Sequence, residues 1–109
     1  MIETLNKTQF LCEALVEQLN EKWKVDSIES GHANYHQLEI EEGRKYIKIW
    51  QKYAHSTGRS IWMFVEKETG YCYKPASTKA PAKIVRYGIH QLVNYPEFCD
   101  PYGSFLYLR

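Results

Sequence analysis

From residue 44 to residue 74 the chain repeats one pattern, short runs rich in β-branched and aromatic residues separated by glycine-bearing turns. Alternation with a period of two places successive side chains on opposite faces of a strand, and a helix cannot accommodate it. Residues 44–53 set Ile47, Ile49 and Tyr53 on one side and Tyr46, Lys48 and Trp50 on the other. The stretch His55-Ser56-Thr57-Gly58 connects them to residues 60–66, where Ile61-Trp62-Met63-Phe64-Val65 is apolar on both faces. A strand of that kind belongs in the middle of a sheet. Lys67-Glu68-Thr69-Gly70 is then a hairpin loop, with glycine where positive φ is favoured, and Tyr71-Cys72-Tyr73-Lys74 returns antiparallel. Upstream, residues 35–40 form a further strand with His36, Leu38 and Ile40 on one face, and Glu41-Glu42-Gly43 is a solvated acidic turn.

The N-terminal segment follows a different period. Asn6 and Gln9 have the spacing of a capping box, and Leu11, Cys12, Leu15, Val16 and Leu19 recur as on one face of a helix. Glu13 and Glu17 occupy the other face, so an amphipathic helix of about four turns is expected, its leucines in the core. After it, Trp23, Val25 and Ser27 alternate with Lys24 and Asp26 as a first strand, and residues 30–34 are a turn. At the other end Pro75 closes the hairpin strand, since proline cannot donate to a ladder. Pro81 is placed to open a short helix running to Arg86-Tyr87 and stopped by Gly88. Phe105 and Tyr107 suggest a last edge strand. The expected fold is α+β: an N-terminal amphipathic helix on an antiparallel meander of three to five strands, with a short helix after the Lys74-Pro75-Ala76-Ser77 segment, in a single domain spanning residues 1–109.

Composition narrows the function classes. No apolar run approaches the roughly 20 residues that cross a bilayer, and the N-terminus lacks a basic segment followed by an apolar one, so neither a membrane nor a secreted protein is expected. Cys12, Cys72 and Cys99 are odd in number, with no C-x-x-C pair, which suits free thiols in a reducing cytosol. His32 and His36 lie in turn and strand without a third ligand, a poor metal site. Ser77 or Cys72 near His55 or His90 makes no recognisable nucleophile, there is no G-x-S-x-G elbow, and the six glycines form no phosphate loop. No cofactor is implied, and a non-enzymatic protein is expected.

Charge is the informative feature. Residues 1–42 carry nine acids and three bases, a net of −6, whereas residues 43–96 carry ten bases and two acids, a net of +8. Either the acidic part neutralises the basic part within the molecule, or the basic part meets an anionic partner. Between Thr69 and Pro96 there is no acid, while Lys74, Lys79, Lys83 and Arg86 recur among Tyr73 and Tyr87. Lysine and arginine neutralise phosphates and tyrosine stacks on bases, so these residues with Ser77 are the candidate surface for nucleic acid or an acidic host protein. On a helix Lys79, Lys83 and Arg86 would share one edge. Self-association, acidic part to basic part, is the alternative.

The string Thr69-Gly70-Tyr71-Cys72-Tyr73-Lys74-Pro75-Ala76-Ser77-Thr78-Lys79-Ala80-Pro81-Ala82-Lys83 resembles a small uncharacterised family of tailed bacteriophages, over roughly residues 43–90. Thr78 stands where that family has Trp, and Gly88-Ile89-His90 replaces a more polar ending. The resemblance implies a phage protein of the host cytoplasm or, alternatively, the virion. It supplies no activity; inhibition of a host defence complex is a further alternative, by analogy alone.

Overall fold

The computed structural model describes residues 2–107, with side chains from Lys7 onward. A helix, α1 (Ile2–Glu29), precedes five strands, β1 (His36–Glu42), β2 (Tyr46–Tyr53), β3 (Arg59–Glu66), β4 (Tyr71–Pro75) and β5 (Pro81–Gly88), and a second short helix, α2 (Ile89–Asn94), follows. The strands form one antiparallel sheet in chain order, β1-β2-β3-β4-β5. The α+β architecture expected from the alternating and helical periods is the one observed, with β3 at the centre of the sheet.

Helix α1 is longer than expected at both ends. It begins at Ile2, so Asn6 lies within it and does not cap it; the Asn6 side chain lies outside the described side chains. The segment expected as a first strand, Trp23 to Ser27, is its last turns. Thr8, Cys12, Leu15 and Leu19 are buried, and half-buried Trp23 and Ser27 continue the same stripe at four-residue steps. Trp23 meets Trp62 edge-on at 6.3 Å, so tertiary packing extends the helical period over a locally strand-like composition. The helix ends on Gly31, whose φ of +82° is the left-handed conformation glycine adopts at little cost. There Gly31 N–H donates to Ile28 at 3.0 Å and His32 N–H to Ser27 at 2.9 Å, the paired bonds of a Schellman ending.

The core lies between α1 and one face of the sheet. Cys12, Leu15 and Leu19 of the helix meet Leu38, Ile47, Ile49, Met63, Val65 and Cys72, with Ile89, Leu92 and Leu106 closing the side. Burying a large aliphatic side chain contributes roughly 1.5–3 kcal/mol, so this face supplies most of the cohesion. Two polar clamps fix the helix over it. Thr8 Oγ1 donates to the Lys67 carbonyl at 2.8 Å, and the Asn20 amide both accepts from Leu38 N–H at 2.7 Å and donates to the Leu38 carbonyl at 3.0 Å.

Three further expectations are corrected. Residues 81–87 are the edge strand β5, not a helix, with Cys72 opposite Tyr87, Tyr73 opposite Val85 and Pro75 opposite Pro81. The reason is the preceding loop: Ala76 and Ser77 N–H donate to the Ala80 carbonyl, and Ser77 Oγ accepts from Lys79 and Ala80 N–H. The chain is thereby reversed onto β4, and β-branched Ile84-Val85 then pairs as a strand. Gly88 does not stop a helix; it precedes one, and its N–H donates to the Gln91 side chain at 2.8 Å. The expected last strand around Phe105 and Tyr107 is instead a 3-10 turn, Ser104–Leu106. The Asp100 carboxylate gathers the N–H groups of Tyr102, Ser104 and Phe105, which curls the tail and drops Leu106 into the core. Finally, Glu41 is not in a turn: it lies in β1 opposite Lys48 and accepts from Trp50 Nε1–H at 2.8 Å.

Candidate functional site

With α1 on one face, the opposite face of the sheet has no second layer among the described residues. Strand register assembles its surface. Lys48 lies opposite Phe64, Phe64 opposite Tyr73, and Tyr73 opposite Val85. Tyr46 meets Phe64 edge-on at 5.9 Å and Tyr73 edge-on at 6.3 Å, and Lys48 Nζ stands 5.8 Å above the Phe64 ring. Phe64 is fully buried although no element covers it, because two tyrosines and a lysine stem do. Tyr71, at 45% exposure, extends this aromatic patch along β4. The Tyr73 hydroxyl is held above its ordinary pKa by partial burial, then by the Glu66 carboxylate and neighbouring Tyr46 and Tyr71.

The opposite end of the same face is closed by charge pairing. Arg59 lies 3.9 Å above the Trp50 ring and reaches Glu39 at 3.3 Å and Glu41 at 3.7 Å, while Lys52 meets Glu39 at 3.3 Å. Lys67 binds Glu42 at 2.7 Å, which pulls the Glu42 carboxyl below its ordinary pKa, and Lys45 approaches Glu66 at 3.9 Å. Four bases of the positive segment are thus neutralised by β1 and β3, and among the described residues none is paired with a carboxylate of α1. Among the described residues, Lys48, Lys74, Lys79, Lys83 and Arg86 have no carboxylate within ion-pair distance.

The residues expected from sequence to form one surface are divided by the sheet. Lys79 and Lys83 are exposed, on the β4–β5 loop and on β5, and Tyr73 belongs to the open face. Ser77 caps its own loop. Lys74 Nζ sits 4.4 Å above the Tyr107 ring, and the Arg86 guanidinium donates to the Leu106 and Ile84 carbonyls. Tyr87 packs on Phe98 and Phe105. Lys74, Arg86 and Tyr87 therefore hold the tail. Sequence reasoning missed Tyr46, Lys48 and Phe64 as partners of Tyr73; their sidedness was legible, but not the register that joins them.

Other chemistry has little to work with. Among the described residues no group of three or more His, Cys, Asp or Glu converges as a metal site. Burial pushes the Cys12 and Cys99 thiols up to about 12 and holds Cys72 well above its ordinary value, so none is a ready thiolate. His36 accepts from the Gln51 amide at 2.6 Å, lies 3.3 Å from the Tyr102 hydroxyl, and is held below its ordinary pKa by burial. An open groove of about 850 Å³ runs between α1 and β1, flanked by Glu13, Glu17, Glu21 and Glu42. No helix among the described residues is long and apolar enough to cross a membrane.

No curated protein and no solved structure matches the chain. A family described as "family of unknown function (DUF7717)" does match, over residues 1–108, far beyond the glycine hairpin and lysine-proline segment alone. Since the match covers nearly every residue, this protein belongs to that family of unknown function.

Proposed function

We propose that this is a small, non-enzymatic, phage-encoded protein that acts in the infected cell by binding single-stranded nucleic acid across the open face of its sheet. One observation carries the reading: the uncovered face joins Tyr46, Tyr71 and Tyr73 to Lys48, with Lys83 exposed on the adjoining strand β5, and neither lysine has a carboxylate partner among the described residues. Tyrosine faces stack on unpaired bases, at roughly 1–3 kcal/mol each, while lysines neutralise the backbone. Bases within a duplex are already stacked and cannot use such a platform. The phage origin rests on the likeness of residues 69–83 to a tailed-phage family.

Fluorescence anisotropy with a labelled oligothymidylate tests this across a salt series. Three phosphate contacts, from Lys48, Lys79 and Lys83, predict a slope of log affinity against log salt of about −2. A duplex of equal length binds more weakly. No binding of single strands at about 50 mM salt rejects the proposal.

A second reading, self-association as a virion accessory, is favoured by the acidic α1–β1 groove and basic β5 lying at opposite edges of the sheet. Light scattering decides it: a defined oligomer at low salt that separates at high salt supports it, and a monomer at high concentration rejects it.

A further inference from the structure

The two edges of the sheet are treated differently, and the contrast has a use. An edge strand presents unpaired N–H and C=O groups that another strand can satisfy. On β1 the outward pair of Leu38 is already taken, at 2.7 and 3.0 Å, by the Asn20 amide of α1. On β5 no backbone bond reaches residues 82–87 from outside the sheet among the described residues. The Arg86 side chain, from the same strand, holds the Ile84 carbonyl. β5 carries the ordinary guards of an edge, Pro81 at its start and Lys83 and Arg86 within it, yet between the two cations two consecutive β-branched residues stand in solvent, Ile84 at 58% and Val85 at 40% exposure. Lys79 and Lys83 precede them, without a carboxylate partner among the described residues.

We infer that β5 is a docking edge that takes an acidic, extended segment of a partner protein as a sixth strand. Backbone bonds to the β5 edge would supply the pairing, the Arg86 side chain giving up the Ile84 carbonyl to the incoming strand. Apolar side chains of the incoming strand would lie beside Ile84 and Val85, and its carboxylates beside Lys83 and Lys79. A second copy of this chain fits poorly. Two β5 strands paired antiparallel about Ile84-Val85 set Lys83 against Arg86, and paired parallel in register they set Lys83 against Lys83. β1 of a second copy offers an edge whose Leu38 groups are occupied. The inference shares Lys79 and Lys83 with the nucleic-acid reading but not the tyrosines, and it rests on the backbone edge of β5, which that reading does not use.

The test follows backbone amides of the full chain by NMR while a short peptide of alternating Glu and Val is added, with a Lys–Val peptide as control. The expected result is slowed hydrogen exchange at residues 82–85, no change at β1, and at least roughly tenfold preference for the acidic peptide. Lys83→Glu and Ile84→Lys, both at exposed positions, each weaken binding several-fold with the spectrum otherwise retained. Four outcomes overturn the inference: protection at β1 or nowhere, equal binding of both peptides, concentration-dependent protection of β5 without peptide, which would mean a second copy, or equal protection of these amides by oligothymidylate.

Discussion

The two faces of this sheet are built from the same alternating strands but held together differently. On the covered face Ile47, Ile49, Met63, Val65 and Cys72 are sealed by Cys12, Leu15 and Leu19 of the helix. On the open face Phe64 is equally buried, but by the side chains of Tyr46, Tyr73 and Lys48, whose outer surfaces remain available. The covered face uses its aromatic and aliphatic area for cohesion. The open face uses it to hold a tyrosine platform in place. Apolar side chains under a polar cover let this face of the sheet meet water without a second layer.

The largest effect that would test this contrast is on the covered face. Leu15→Ala leaves a cavity against the sheet and is expected to destabilise the protein by about 2–5 kcal/mol, read as a lower urea midpoint. Asn20→Leu removes the clamp on β1 and leaves both Leu38 backbone groups facing the groove; a loss of about 1–3 kcal/mol is expected in the same measurement. Tyr71→Ala is expected to leave the urea midpoint nearly unchanged, because Tyr71 is exposed, while oligothymidylate affinity falls by about 1–2 kcal/mol. An equal loss of stability and affinity would show that the open face is merely a poorer core. Lys48→Ala should reduce the magnitude of the salt slope by about 0.7.

The smallest effect concerns pH. Burial lowers the His36 pKa in the folded protein, so below its ordinary value of about 6.5 the unfolded chain takes up the proton first. Stability contributed by neutral His36 is therefore present at pH 7 and is lost as pH falls through that value towards the lowered folded pKa. His36→Gln should flatten the urea midpoint between pH 7 and pH 5, roughly the window in which histidine titrates.

Much of this fold was legible before any coordinates. The alternation in residues 44–74, the glycine at residue 70 with its φ of +75°, and the leucine stripe all reappear as β2, β3, β4, the hairpin and α1. Two of the misreadings share one cause. Trp23 to Ser27 and residues 81–87 are short segments whose composition suits helix and strand alike, so their partners chose: Trp62 for the first, β4 for the second. The candidate surface was only half legible for the same reason. Lys79, Lys83 and Tyr73 could be named from the acid-free stretch, but Arg86, Lys74 and Tyr87 were assigned to the tail by contacts with Leu106, Tyr107 and Phe105, which lie about 20 to 30 residues away in the chain.

Local chemistry, then, determined where this chain turns, which stretches alternate and how its charge is divided, because those properties depend on neighbours within a few residues. Which strands pair, which face the helix covers, and which lysines find a carboxylate were decided only in three dimensions. Register and burial depend on groups that the sequence separates and the core brings together.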